Sequence, residues 1–443
     1  MEVLNLVTKI ITLMFSVFVA YKFLYILIGV LTKNKKYPEV SSDQYKKYGI
    51  VISARNEEKV IGNLIASLKA QNYNHDLLTI FVVADNCDDN TAQICRDLDC
   101  VVYQRFDKTK ARKGWALEYL FHNIERDYGI MNFDGFIFFD ADNVVDKNFV
   151  QHINNVICSG AQVVVGYRNT KNFKTNFISA AYGIHFCRTV LSTSRARRYL
   201  DVSTNLAGTG YCMVSSLLKD GWTWHTLTED AELTCDLVSR GVKIEFCESA
   251  EFYDEQPVSF KASFRQRIRW IRGRYGNYFT QLGQMLGGIL HLKSLKDKWS
   301  MYDILMGMTP FPLFALIIGS IYPITSTIIT LVQGQPLPWL VWIKGFGLSL
   351  GTSYVSMFME GLLVMIRERK HIHCPTGKKV LYLFCWPWFD MMNIPLLIAS
   401  CFAKPVWKPI VHTDTTSIDA FDQPENVPEI KEKVKKKDLE KVG

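Results

Sequence analysis

The chain has 443 residues, 48% of them hydrophobic, enough to bury a sizeable core and to build more than one structural unit. Its formal net charge of +8 is gathered in short basic clusters, three of them beside apolar stretches, so a lipid bilayer is an expected partner and nucleic acid is not. The eleven cysteines are odd in number and none are spaced CxxC, which excludes a disulfide framework and a zinc site and leaves reduced thiols as the expectation.

In chain order, residues 10–32 are apolar with one charge, Lys22, long enough to cross a bilayer at about 20 residues per span and without a small-residue cleavage site. They read as a retained anchor within residues 1–35. The basic run KNKK at 33–36 then puts the following domain, 36–255, in the cytoplasm. There, strand-length apolar runs alternate with helical patterns: YGIVISA (48–54) before a helix over 57–71, LTIFVVAD (78–85) before one over 88–99, GFIFFDAD (135–142) before one over 147–159. That alternation predicts a parallel sheet with helices on both faces, whose ligand site lies at the carboxyl ends of the strands. Polar residues gather at those ends, in SARNEE (53–58), ADNCDDN (84–90) and DADN (140–143). Neither GxGxxG nor GxxxxGK[ST] is present, so a nucleotide has to be held by other means. A divalent cation on Asp140 and Asp142 is one such means; a helix N-cap is the plainer use of the same pair.

Further along, Thr228, Glu229 and Asp230 open a helix that continues through Leu233 and Leu237. In SFRQRIRWIRGRYGNYF (263–279), Phe264, Ile268, Ile271 and Tyr275 share a helical face, and five arginines fall between 265 and 274. This predicts an amphipathic helix on an anionic membrane surface, within an interfacial region spanning 256–300. Apolar segments at 311–332, 338–365 and 379–402 then form a C-terminal transmembrane region, 301–403. If all of them cross, the lysine-rich tail 404–443 lands outside, against the positive-inside tendency. Pro387, Asp390 and Pro395 allow the last segment to be re-entrant or interfacial, which returns the tail to the cytoplasm. The tail is polar and is expected to be disordered.

Taken in order, SARNEE, VVADNCDDNTA, KGWAL (113–117), FFDADN, GTGYCM (208–213), LTEDAEL (227–233) and QRIRW (266–270) resemble family 2 glycosyltransferases, in particular the membrane-embedded processive branch of cellulose, hyaluronan and poly-N-acetylglucosamine synthases. The resemblance implies an α/β fold, a GT-A type, mostly parallel nucleotide-sugar-binding domain joined to an α-helical transmembrane region with interfacial amphipathic helices. It also implies roles. Asp142 would hold Mg²⁺ or Mn²⁺, with Asp140 nearer the ribose and metal; Lys113 would lie near the phosphates and Asp85 near the uracil. Ala54, Asn56 and Glu57 would complete the base pocket. Asp230, beside Glu229, would be the general base, and a single displacement would invert the anomeric centre. Gln266, Arg269 and Trp270 form the QxxRW motif, with Trp270 under the acceptor sugar and Arg269 toward the diphosphate; Gly208, Thr209 and Gly210 would wall the acceptor side. WKPIVHT (407–413) loosely resembles the gating elements of this family.

The leading expectation is a multi-pass cell-membrane enzyme that polymerises a UDP-sugar, UDP-glucose before UDP-N-acetylglucosamine, onto a growing glycan acceptor and extrudes a β-linked polysaccharide, with accessory secretion subunits as further partners. A lipid glycosyltransferase adding one sugar, as ceramide glucosyltransferases do, is the alternative. A non-catalytic nucleotide-sugar sensor has no use for a general base.

Overall fold

The computed structural model describes residues 2–32, 34–403 and 412–421. The remainder of the tail, and with it most of WKPIVHT and the run KEKVKKK, lies outside the described residues.

Eight strands, β1 (Tyr48–Ala54), β2 (Leu78–Asp85), β3 (Val101–Arg105), β4 (Gly135–Asp140), β5 (Val144–Val145), β6 (Val163–Thr170), β7 (Tyr211–Val214) and β8 (Ile244–Asp254), form one sheet in the order β3-β2-β1-β4-β7-β6-β8-β5. The half built from β3, β2, β1 and β4 is parallel throughout. Here the apolar runs of the sequence are buried on both faces, as parallel strands between helices must be. The other half corrects the all-parallel expectation. β7 is antiparallel to both β4 and β6, and β5 to β8, while β6 and β8 run parallel with a bulge after Gly166. β7 reaches the sheet from a long excursion on the membrane side, so it joins β4 from the opposite end.

The helices are α1 (Glu2–Val19), α2 (Tyr21–Leu31), α3 (Ile61–Lys69), α4 (Thr91–Asp97), α5 (Lys113–Asp127), α6 (Phe149–Cys158), α7 (Phe177–Thr189), α8 (Arg195–Leu200), α9 (Glu229–Ser239), α10 (Phe260–His291), α11 (Leu295–Met308), α12 (Phe311–Val332), α13 (Trp339–Arg367), α14 (Thr376–Met391) and α15 (Asn393–Phe402). Two cores flank the sheet. One packs α5 and α9 against Phe136, Phe138 and Tyr211, and the other packs α3 and α6 against Ile50, Ile52 and Phe139.

By length and composition four stretches can cross a membrane, Lys9–Leu31, Phe311–Val332, Trp339–Arg367 and Thr376–Phe402. They are not equivalent. α12 packs on α1 and leaves its apolar faces exposed, as a lipid-facing span does. By contrast α2 lies on α8 and on a π-helical turn at Val190–Ser194, with Tyr25 buried. α14 lies along α7: Tyr382 reaches the Lys174 carbonyl at 3.4 Å, Trp386 is buried, and Phe389 packs on Tyr182 at 5.3 Å. α15 lies along α10, where Arg272 donates to the Ser400 carbonyl at 3.3 Å. The two halves of the last segment therefore rest on α7 and α10. The stretch 263–279 lies within α10, one helix of 32 residues. Its Arg267 and Arg272 hold α14 and α15 by donating to the Phe389 and Ser400 carbonyls.

Gly210 combines φ +67° with a position where a Cβ would lie 1.9 Å from the Phe252 ring, whereas Gly160, at φ +94°, has open space. Gly210→Ala is expected to destabilise the fold by about 3 kcal/mol or more. Gly160→Ala carries only the backbone term, about 1 kcal/mol. Thermal unfolding in detergent measures both, and equal losses would contradict the packing described.

Candidate active site

The carboxyl ends of β1, β2, β4 and β8, the start of α9 and one face of α10 surround a cavity of 810 Å³. Asp140 ends β4; its amide is held by Thr209 Oγ1 at 2.9 Å, and its carboxylate accepts from Lys113 Nζ at 2.5 Å. Lys113 is the first residue of α5 and also donates to the Gly208 carbonyl at 2.7 Å. Burial opposes the charge on this amine, but Asp140, Glu229 and Asp230 outweigh it and hold its pKa above the ordinary lysine value. Asp142, two residues on, accepts from the Glu255 amide at 3.0 Å and lies 3.9 Å from His412 Nε2.

His412 was not singled out in the sequence. It faces Glu57, to which Nδ1 is bonded at 3.0 Å, with Asp142 and Glu255 near. Burial works against its protonation, yet these carboxylates prevail and hold its pKa at about 10. Its backbone neighbours are fixed as well: the Thr413 and Asp414 amides donate to Glu255, and Phe421 stacks on Tyr253 at 4.0 Å. A histidine 270 positions from Asp142 in sequence carries no spacing signal; only the fold brings the two together.

Asp254, at the end of β8, pairs with Arg168 at 2.8 Å. Burial first, and then the nearby Asp142 charge, push it up to about 6 against the pull of Arg168. Its Oδ1 is buried with no hydrogen-bond partner. Asp140, Asp142 and this free oxygen are hard oxygen donors of the kind Mg²⁺ or Mn²⁺ takes, while His412, held protonated, supplies positive charge to Glu57 and Asp142.

At the start of α9, Glu229 and Asp230 both face the cavity, with Asp230 Oδ2 toward Gly208. Burial raises both carboxyls. Glu229 reaches about 7 as Asp230 adds repulsion and Lys113 partly offsets it. From α10, Gln266, Arg269 and Trp270 line the same space, one helical turn apart. Trp270 stands edge-on to Tyr182 at 5.8 Å, and Gln266 Oε1 is buried without a partner.

Of the expected base-pocket residues, Asp85 and Glu57 line the cavity, the first buried against Arg105 at 2.6 Å. Ala54 and Asn56 do not line it; Ser53 and Arg55 do. Ala54 points into the core, and Asn56, at φ +57°, instead accepts from the Asp88 amide and shapes the turn. On the acceptor side only Gly208 reaches the cavity. Thr209 braces Asp140 and Asn143, and Gly210 packs on Phe252. Sequence reasoning missed Arg168, which crosses the cavity wall from β6, and Arg105, because each is marked only by its tertiary partner.

Residues 46–273 match the family described as Glycosyltransferase like family 2. The β-monoglucosyldiacylglycerol synthase of Trichormus variabilis is 24% identical over 81% of this chain and 75% of its own length. The poly-β-1,6-N-acetyl-D-glucosamine synthase of Staphylococcus aureus is 22% identical over 54% of this chain and 57% of its own. Among solved structures, a mannosyltransferase of Pyrobaculum calidifontis in complex with GDP-Man and Mn²⁺ superposes with a TM-score of 0.57 at 13% identity, covering 83% of this chain and 98% of that one. The fold is therefore GT-A-like: a mixed sheet with helices, joined here to four candidate transmembrane helices.

The raised carboxyls have a consequence for stability. The folded state holds the Glu229 proton more tightly than the unfolded chain, so its contribution is present at acid pH and lost as pH rises through about 7. Glu229→Gln is expected to raise Tm relative to the native protein at pH 8.5 and to lose that advantage at pH 5; an unchanged difference at the two pH values would contradict the burial argument.

Proposed function

The chain belongs to glycosyltransferase family 2, and from that premise we propose that it transfers a sugar, with inversion, from a UDP-sugar to a hydroxyl acceptor at the membrane face of its α/β domain. The observation that carries this reading is that Lys113, Asp140, Asp142, Asp230, Arg269 and Trp270, drawn from separate elements of the fold, line one cavity. UDP-glucose is the favoured donor and UDP-N-acetylglucosamine the next.

In this reading Asp85 and Glu57 lie on the nucleotide side, with Arg105 orienting Asp85. Lys113 and Arg269 approach the diphosphate from opposite walls and offset the charge that grows on it as the glycosidic bond breaks. Asp140 and Asp142 would hold Mg²⁺ or Mn²⁺, which would supply Lewis-acid stabilisation of the leaving diphosphate. Asp230 takes the acceptor proton. A carboxyl raised by burial suits that task, since a general base works best with a pKa close to the working pH. Trp270, backed by Tyr182, offers an apolar face to the acceptor. The basic segments beside α2 and α13 support a cytoplasmic site in a multi-pass cell-membrane protein.

For the acceptor, a membrane lipid receiving one sugar is favoured over the growing polysaccharide. The glucosyldiacylglycerol synthase likeness extends over 81% and 87% of the chain in two relatives and 54% in a third, against 54% for the poly-N-acetylglucosamine synthase. The second reading is processive synthesis of an extruded β-glycan. It is favoured by the aromatic setting of Trp270, which would hold a pyranose between additions.

Asp230→Asn is expected to keep UDP binding and to lower kcat by about 10² to 10⁴-fold, read as UDP release; a rate near the native one would remove Asp230 from the base role. EDTA is expected to abolish transfer and Mg²⁺ or Mn²⁺ to restore it, with Asp142→Ala not rescued; full activity in chelator would refute the metal role. Labelled UDP-sugar incubated with membranes is expected to yield a small, solvent-extractable glycolipid, and high-molecular-weight, β-glycanase-sensitive label would establish the processive reading instead.

A further inference from the structure

The catalytic cavity continues past Trp270 toward the membrane helices. Lys22 of α2, with Thr189 and Thr193, lines it; the same three residues line a second cavity of 280 Å³, closed otherwise by Ile26, Arg188, Ser192 and Glu360. The two spaces thus share one wall, made of three flexible or small side chains. Thr193 and Ser192 belong to the π-helical turn at Val190–Ser194, an i→i+5 widening of a kind frequent at functional sites. On the far side, α2 is seated on that turn so closely that a Cβ at Gly29 would lie 1.7 Å from the Leu191 carbonyl oxygen. The opening between α2 and α13 is therefore framed by fixed backbone rather than by loops.

Its chemistry has two zones. Phe23 and Leu27 of α2 and Met359 and Leu363 of α13 leave apolar side chains exposed on these same two helices. Inside, each charge has an opposite partner: Lys22 is paired with Asp303, and Arg188 lies 3.0 Å from Asp390 and 3.4 Å from Glu360. Such pairs offer donors and acceptors to hydroxyl groups but no surplus positive charge for a phosphate.

We propose that the second cavity is a lateral port through which a lipid with an uncharged, hydroxyl-bearing headgroup reaches the catalytic cavity from the bilayer. The headgroup passes Lys22, Thr189 and Thr193, while the acyl chains remain between α2 and α13. This rests on the transferase reading and names the acceptor class for it. In the step served by the port, the anomeric carbon–oxygen bond to the nucleotide diphosphate breaks, a carbon–oxygen bond to the lipid hydroxyl forms, the hydroxyl proton goes to Asp230, and the nucleoside diphosphate leaves.

The test uses the full chain in phosphatidylcholine nanodiscs with labelled UDP-glucose or UDP-N-acetylglucosamine, and with diacylglycerol, phosphatidic acid or a soluble β-gluco-oligosaccharide as acceptor. Label is expected on diacylglycerol alone. Ile26→Trp and Ser192→Trp, which fill the port, are expected to lower that transfer at least tenfold while UDP binds with native affinity; Leu340→Trp, on the distant end of α13, leaves it unchanged. A photoactivatable diacylglycerol is expected to label the native protein within 23–27 or 359–363, a readout that does not depend on the variants folding. Native transfer in both port variants, label on phosphatidic acid or oligosaccharide, or crosslinks confined to other segments would overturn the port and leave the transferase reading standing. Failure of the native protein to bind UDP or to release it from either donor would overturn both.

Discussion

The repulsion among carboxylates at the strand ends is the constraint around which the rest of the molecule is arranged. Glu57, Asp85, Asp140, Asp142, Glu229, Asp230, Asp254 and Glu255 all line one cavity. Two unit charges 4 Å apart in a setting of this kind interact by about 4 kcal/mol, so a group of carboxylates cannot stay ionised without offsetting charge. The fold supplies that charge from four directions: Lys113 from α5, Arg168 from β6, Arg105 from β3 and His412 from the segment that returns after α15. Where burial outweighs that offset, as at Glu229 and Asp254, the carboxyls hold their protons to higher pH.

The same balance explains why the α/β domain and the membrane segments form one unit. Further cations of the cavity come from the helices that pack beside the candidate membrane spans. Arg269 is on α10, while Arg197 is on α8 and reaches Asp303 of α11 at 2.7 Å. Arg195 joins Glu248 of β8 at 2.6 Å to Glu368, just past α13, at 2.8 Å. These pairs are buried, so breaking one would leave a charge uncompensated at a cost of about 3–5 kcal/mol. They give α11 and the end of α13 a fixed seat on the domain. α12, which lacks such ion pairs among the described residues, packs chiefly on α1 and α15.

Much of this was legible in the sequence because its cause is local. The apolar runs at 48–54, 78–85 and 135–140 can satisfy their backbone only as strands between helices, and period 2 against period 3.6 separates them from the helices that come after them. The QxxRW spacing puts Gln266, Arg269 and Trp270 on one face by the geometry of any helix. The carboxylate pair at 140 and 142 announced a charge needing an offset, and that need is real in the structure. β6, β7 and β8 were not read in advance, since their strand character depends on partners far away in the chain. Ala54 and Asn56 were placed in the pocket because they end a strand, but neighbouring residues there point to opposite sides, and Ser53, Arg55 and Glu57 are the ones that face inward.

The sequence by itself determined the family, the strand-end location of the candidate site, most of the charged residues that gather there and the stretches apolar enough to enter a bilayer. Each follows from composition or from spacings within a few residues, where covalent geometry sets what neighbours can do. Tertiary structure alone decided that His412 joins Asp142 and Glu57, that Arg168 and Lys113 divide the offset between Asp254 and Asp140, that the 379–402 segment rests on α7 and α10, and that the cavity reaches past Lys22 to the gap between α2 and α13. Those outcomes depend on which distant charges and surfaces meet. No local pattern encodes them, because the free energy that selects them is that of whole elements packing against one another.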